Sequence, residues 1–216
     1  MAYHLLSGLW DHLTRKEEFN VIILGLDNAG KTTFLEKVKT LFNDTPAVDP
    51  AKIAPTVGQN IGRIALSSSV LQFWDLGGQR DFRSIWPKYY SDSHAVVFVL
   101  DATDSIRFDE VWQVFGVMRE AGGPLQPLTD RTETMALDRR IHGVPTLVLA
   151  NKQDAANSTP VEQVKEMFNK HVVNLNISES AVLPISALEG TGVRQAIDWL
   201  FIRVQNSRRQ ASLPAR

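Results

Sequence analysis

A chain of 216 residues is long enough for one sizeable α/β domain and short for two. With 44% hydrophobic and 22% charged residues the composition is that of a soluble globular protein, and a formal net charge of −1 argues against nucleic acid as a partner. The absence of cysteine excludes disulfides and thiolate metal sites, and no apolar run approaches the roughly 18 residues of a membrane span.

Residues 3–14 come first. Tyr3, Leu6, Leu9, Trp10 and Leu13 recur at helical spacing, Leu5 widens their face, and Asp11, His12 and Thr14 lie off it. Two readings are open: a helix packed permanently on the domain, or one that inserts its apolar face into a bilayer interface. No basic segment, apolar core and cleavage site open the chain, so a secretory signal is not expected. Position 2 is alanine, so the glycine that N-myristoylation needs is missing.

A β-branched run predicts a strand over 19–25, and apolar spacing predicts a helix over 31–42. Between them Gly25-Leu26-Asp27-Asn28-Ala29-Gly30-Lys31-Thr32 fits the phosphate-loop pattern G-x-x-x-x-G-K-[ST]. Its glycines allow the backbone to wrap a phosphate with N–H groups pointing inward, and the helix N-terminus adds partial positive charge. Asp27, Asn28, Ala29, Gly30, Lys31, Thr32 and Thr33 are therefore the expected phosphate-contacting residues. Lys31 can reach the β- and γ-phosphates, and the Thr32 hydroxyl can ligate Mg²⁺.

The stretch 43–55 is polar and proline-rich and reads as a loop, leading to Thr56, which can lend its hydroxyl to Mg²⁺ and its N–H to a γ-phosphate. Strands follow at 59–66 and 69–75, joined at Ser67-Ser68-Ser69. The second ends in Asp75, a Walker B candidate for Mg²⁺. Gly77-Gly78 supplies backbone able to approach the γ-phosphate, and Gln79 is placed to orient an attacking water. With Lys31, Gln79 is the expected catalytic residue. Arg80 and Arg83 lie nearby and read as surface arginines rather than as a finger in cis.

Beyond them a buried strand is expected over 94–100 and a helix over 105–121. Residues 122–142 read as a long surface loop with a short helical piece at 134–140. The strand 144–150 feeds Asn151-Lys152-Gln153-Asp154. The Asp154 carboxylate can accept two hydrogen bonds from the guanine N1–H and 2-amino group, a donor pair adenine lacks. Asn151 and Lys152 are expected to brace that loop and cover the base. A helix at 160–171 and a strand at 182–185 lead to Ser186-Ala187-Leu188, whose backbone can meet the guanine O6. An amphipathic helix closes the domain at 192–206, before an arginine-containing tail. The five histidines show no metal-ligand spacing and read as structural or solvent-facing. The expected organisation is an N-terminal amphipathic segment, 1–17, a nucleotide-binding domain, 18–206, and a basic tail, 207–216.

In that order the motifs fall at the carboxyl edge of one sheet, where open α/β sheets bind ligands. The chain resembles small GTPases and, more narrowly, the Arf family. The resemblance rests on Gly25 to Thr33, Trp74-Asp75-Leu76-Gly77-Gly78-Gln79, Trp86 with Tyr89-Tyr90, and Ala150-Asn151-Lys152-Gln153-Asp154. Thr56-Val57-Gly58-Gln59-Asn60 and the non-glycine position 2 make it most similar to the Arf-related-protein branch, the Golgi-associated members of animals and fungi. The resemblance implies an α/β phosphate-loop NTPase fold, a mostly parallel six-stranded sheet with helices on both faces. It implies a GTP/GDP switch with Mg²⁺, regulated by an exchange factor and a GTPase-activating protein. It also implies effectors in vesicle trafficking, reversible Golgi association from the cytoplasm, and capture by a membrane-protein receptor. A two-residue slip of strands 59–66 and 69–75 on GTP binding is implied as well. Such a slip restores side-chain alternation, and in the family it displaces the N-terminal helix, which favours the membrane-inserting reading of residues 3–14.

Three features depart from the family pattern. Gln59 stands where the Arf effector surface has phenylalanine, the 122–142 segment is longer, and Met1-Ala2-Tyr3 differs from the bulky start of relatives that are N-terminally acetylated. Two alternatives remain at this level: a phosphate-loop kinase acting on a small molecule, and a nucleotide-locked scaffold.

Overall fold

The computed structural model describes residues 16–67, 69–116, 135, 138–172 and 179–206. The amphipathic stretch 3–14, residues 117–134 and the 207–216 tail lie outside the described residues, and so do the expectations placed on them.

Six strands form one sheet: β1 (Glu17–Leu24), β2 (Gln59–Ala65), β3 (Ser69–Leu76), β4 (Ala95–Asp101), β5 (Thr146–Asn151) and β6 (Ser180–Pro184), in the spatial order β2-β3-β1-β4-β5-β6. All neighbours run parallel except β2, which pairs antiparallel with β3. The helices are α1 (Lys31–Asn43), the single turns α2 (Arg80–Arg83) and α3 (Pro87–Tyr90), α4 (Phe108–Phe115), α5 (Val161–Val172) and α6 (Val193–Asn206). Every predicted strand and long helix in the described residues is present, with ends shifted by one or two residues. The exception is the 105–121 helix, which opens as a 3₁₀ turn (Ser105–Arg107) and is α-helical over Phe108–Phe115.

Two apolar cores follow from strand periodicity. Val21 and Ile23 point to one face and Ile22 and Leu24 to the other, as do Val97 and Val99 against Val96 and Phe98. One face is covered by Phe34, Leu35 and Val38 of α1 with Val193, Ile197 and Leu200 of α6. The other is covered by Trp112 and Phe115 of α4 and Val164 and Phe168 of α5. Burial on both faces is why the central strands read as continuous apolar runs. The edge strand β2 alternates instead, and Gly62 lets it press on α1, since a Cβ there would sit 2.7 Å from Leu35 Cδ1.

Of the 122–142 stretch only Met135 and residues 138–142 are described, and two of these are buried where a surface loop was expected. Met135 is fully buried in the second core, its N–H donating to Val114 O at 3.1 Å, and Ile141 is buried beside it. The short helical piece appears as a 3₁₀ turn at Arg139–Ile141, capped by Asp138.

Candidate nucleotide site

Parallel strands bring the loops that follow β1, β3, β4, β5 and β6 to one edge. Because β2 runs the other way, its start lies at that same edge: Gln59 pairs with Leu76. Thr56, which precedes β2, is therefore delivered to the loop after β1.

The phosphate loop owes its shape to backbone conformations that favour glycine. Gly25 has φ 135° and Gly30 φ 91°, and a Cβ on Gly25 would lie 2.1 Å from Val99 O. Asn28 adopts φ 61°, a conformation asparagine tolerates better than most residues. α1 then starts with Gly30 as its N-cap and has no acidic residue in its first turn, so its positive end stays available to an anion. Asp27, Asn28, Gly30, Lys31, Thr32 and Thr33 line a cleft of about 320 Å³, joined by Thr56, Gly78, Gln79 and Lys152. The loop before Thr56 also walls it, through Pro50, Ile53, Ala54 and Pro55. That wall was missed in the sequence, although Asp49-Pro50 carries a signal: Asp49 caps a 3₁₀ turn with proline in its first position.

Lys31 is buried, and its ammonium donates to Leu26 O at 2.7 Å. Burial pulls its pKa down to about 8, against the opposing pull of Asp75 and then Asp27. Behind it Thr32, Thr56 and Asp75 converge. Thr32 Oγ1 lies 2.8 Å from Thr56 Oγ1 and donates to Asp75 Oδ2 at 2.7 Å, and Thr56 Oγ1 reaches the same oxygen at 3.3 Å. Burial raises the Asp75 pKa, opposed by the Thr32 bond and Lys31. Its second oxygen, Oδ1, is buried with no hydrogen-bond partner among the described residues. A buried carboxylate oxygen without a partner, beside two hydroxyls, is a donor set for a hard divalent cation. Among the described residues no group of three His, Cys, Asp or Glu side chains could hold a metal ion. Two of these three donors are hydroxyls.

Gly78 is packed against this group. A Cβ there would meet Lys31 Nζ at 2.3 Å and Gly25 O at 2.5 Å, so only glycine fits. Trp86, a buried residue, donates its indole N–H to Gly77 O at 2.9 Å. Gln79 is exposed at the cleft mouth.

At the other end Asn151 is the hub. Its Nδ2 donates to Ala29 O at 2.8 Å, and its Oδ1 accepts from Ala187 N at 2.9 Å. One buried amide thus ties the phosphate loop to the loop after β6, as the sequence reading expected of a brace. Ser186 is buried and its Oγ accepts from Glu189 N at 3.0 Å, while Leu188 is half exposed. Lys152 takes φ 65° and pairs with Asp101 Oδ2 at 2.5 Å. Asp101 is held in turn by Thr103. Asp154 is exposed and is not among the residues that line the cleft.

Charges that sequence reasoning did not single out surround Asp27. Arg107 grips its carboxylate at 2.7 and 3.4 Å and also pairs with Glu110 at 3.0 Å, and the Arg107 bond holds the Asp27 carboxyl below its usual range. Arg83 is 3% exposed, which corrects its reading as a surface arginine.

The chain matches the family model described as the ADP-ribosylation factor family over residues 5–204. It is 41% identical over 209 residues to ADP-ribosylation factor-like protein 3 of Saccharomyces cerevisiae, covering 96% of each chain. It is 40% identical over 199 residues to human ADP-ribosylation factor-related protein 1, covering 92% of this chain and 90% of the relative. Among solved structures it is similar to the Arl6 (BBS3) small GTPase of Trypanosoma brucei with the bound nucleotide analogue GppNp. The TM-score is 0.64 at 27% identity, over 88% of this chain and 99% of that one.

Proposed function

The chain belongs to the ADP-ribosylation factor family and is a GTPase, and from that premise we propose that it is a GTP/GDP switch working on Golgi membranes. The observation that carries the switch reading is the convergence of Thr56 and Gly78 on Lys31 and Thr32. Those two residues flank the β2–β3 hairpin, so a group bound beside Lys31 and Thr32 is felt at both ends of it. The hairpin register against β1, with Ser69 opposite Glu17, permits a slip of two residues without turning any side chain to the wrong face.

In this reading Lys31 and the phosphate-loop amides hold the phosphates, and Gly78 meets the γ-phosphate. Asn151, Lys152, Asp154 and the Ser186-Ala187-Leu188 backbone hold the guanine. Thr32, Thr56 and Asp75 would hold Mg²⁺, which neutralises phosphate charge when bound. Gln79 orients the attacking water. Hydrolysis is slow, about 10⁻⁴ s⁻¹, until an activating protein supplies an arginine. Of the two candidates in this chain, Arg80 is exposed and Arg83 is buried with its guanidinium bonded to Gly78 O and Glu110. The small-molecule kinase alternative falls with the family assignment.

Residues 3–14 are the membrane-inserting element, released in the GTP state and captured with the help of a membrane-protein receptor. The Arf-related-protein branch that the sequence resembles supports the Golgi and vesicle trafficking as the setting. Among the described residues no helix is long and apolar enough to cross a membrane. Effectors differ from those of Arf itself: Trp74 and Tyr89 stack edge to face at 5.1 Å, but exposed Gln59 replaces an aromatic residue.

Liposome flotation of the protein loaded with GDP or GppNp, on Golgi-like lipid, tests the proposal. Flotation is expected with GppNp only. Equal partitioning of the two forms would overturn nucleotide control of residues 3–14.

A further inference from the structure

Arg83 is a charged side chain almost wholly withdrawn from water. Such burial is tolerated only where every charge is matched and the donors are used. Its Nε donates to Gly78 O at 2.9 Å, its Nη2 donates to Glu110 Oε1 at 2.8 Å, and the same nitrogen lies 3.9 Å from Asp27 Oδ1. Arg107 closes the set, donating from Nε to Glu110 Oε2 at 3.0 Å and from Nη2 to Asp27 Oδ1 at 2.7 Å. A continuous line of charge-assisted bonds therefore runs from Asp27 in the phosphate loop through Arg107, Glu110 and Arg83 to Gly78.

The end of that line is the informative part. A trans peptide unit points its C=O and N–H in opposite directions, so fixing one fixes the other. The Trp86 indole holds Gly77 O and thereby aims Gly78 N–H. Arg83 holds Gly78 O and thereby aims the amide of Gln79. Gly78 sits where a Cβ would touch Lys31 Nζ, so this is its closed position against the phosphate site. Arg83 reaches no reacting group itself. It acts through Gly78 and Gln79.

We propose that Arg83 is the positioning residue that makes the site prefer the triphosphate: it latches Gly78, closed over Lys31, to the Asp27–Arg107–Glu110 line. The inference rests on the GTP/GDP-switch reading and deepens it. With a γ-phosphate bound, closure of Gly78 and the Arg83 contacts support one another. With a diphosphate, Gly78 has no phosphate to meet and the latch contributes nothing to affinity. Arg83 therefore discriminates between the two nucleotides instead of strengthening both. Glu110 takes part as a carboxylate: burial favours its neutral form, but the two guanidinium groups outweigh this and hold its pKa below the usual range.

The test measures dissociation constants of GppNp and GDP for the full chain as wild type, Arg83→Gln, Glu110→Gln and the double variant. The GppNp-over-GDP preference is expected to fall about tenfold in Arg83→Gln, the size of one lost charge-assisted hydrogen bond, with GDP affinity within about twofold of wild type. Glu110→Gln is expected to move the preference less and in the same direction. The double variant is expected to be no worse than Arg83→Gln alone, because both changes cut one line. An Arg83→Gln protein that folds and keeps the wild-type preference overturns the latch. If that protein does not fold, Glu110→Gln decides, since its side chain is 38% exposed and outside both cores. An unchanged preference there overturns the latch too. Failure of the wild type to bind either guanine nucleotide would overturn the switch reading and the latch with it, whereas an unchanged preference in the variants beside a normal wild type overturns the latch alone.

Discussion

The two ends of the site are built differently. At the base end, Asn151 is a buried amide bonded to two other loops, and Lys152 is pinned by Asp101, itself held by Thr103. All four loops follow parallel strands of the sheet's middle and far half. At the phosphate end, Thr56 and Gly78 reach the phosphate loop from the β2–β3 hairpin, through hydroxyl, carboxylate and guanidinium contacts at the sheet's edge. A hairpin pairing with the rest of the sheet along one side only can move; a loop woven into its interior cannot. The difference suits a protein that keeps hold of its nucleotide while reporting whether the third phosphate is present.

The largest expected effect separates chemistry from binding. Gln79→Leu should abolish acceleration by an activating protein, a loss of about 10⁵-fold in single-turnover hydrolysis, with GDP affinity near wild type. Normal stimulated turnover would remove Gln79 from the mechanism. Next comes the base end. Asn151→Ala leaves Ala29 O and Ala187 N buried without their partner, and should weaken GDP and GppNp alike by about 10²-fold in titration calorimetry. A loss confined to GppNp would break the contrast between a fixed and a movable end.

Gly78→Ala probes the opposite case. The added methyl would lie 2.5 Å from Gly25 O, a backbone atom that cannot swing aside. GppNp affinity should fall about tenfold while GDP affinity holds, because only closure of the hairpin's end is hindered. The smallest effect concerns pH. Arg107 lowers the folded-state pKa of Asp27 below 3.8, so the pair's stabilisation is present above 3.8 and is lost as pH falls through the lower folded value. With an Asp27 side chain 42% exposed the contribution is small and salt-sensitive. Arg107→Gln should melt slightly below wild type at neutral pH, and the gap should close as the pH is taken below 3.8. A gap that persisted in acid would place the role of Arg107 in packing.

Much of this is legible in the sequence. Strands buried on both faces write continuous apolar runs, and a phosphate loop writes its glycines at fixed spacing, so β1, α1 and Gly25 to Thr32 stood where expected. Asn151 as a brace was legible too, because a short motif at a strand's end leaves its buried amide few loops to reach. Arg83 was not. Between Asp81 and Ser84 it looks like any exposed residue of a short helix, and its burial depends on Glu110, 27 residues further on. Met135 was hidden in the same way: it follows a polar run, and its burial depends on the core beside α4, where its N–H meets Val114 O.

By itself the sequence determined the order of elements, the family and the motif at each strand's carboxyl end. Those are written in local periodicity and in residue types whose backbone conformation or chemistry few others can supply. Only the tertiary structure decided which polar side chains leave water. The convergence of Thr32, Thr56 and Asp75 depends on an antiparallel edge strand returning Thr56 to the phosphate loop, and the line from Asp27 to Gly78 depends on α4 lying beside α2. The physical reason is that the cost of burying a charge is set by partners brought close in space, and chain order does not record that distance.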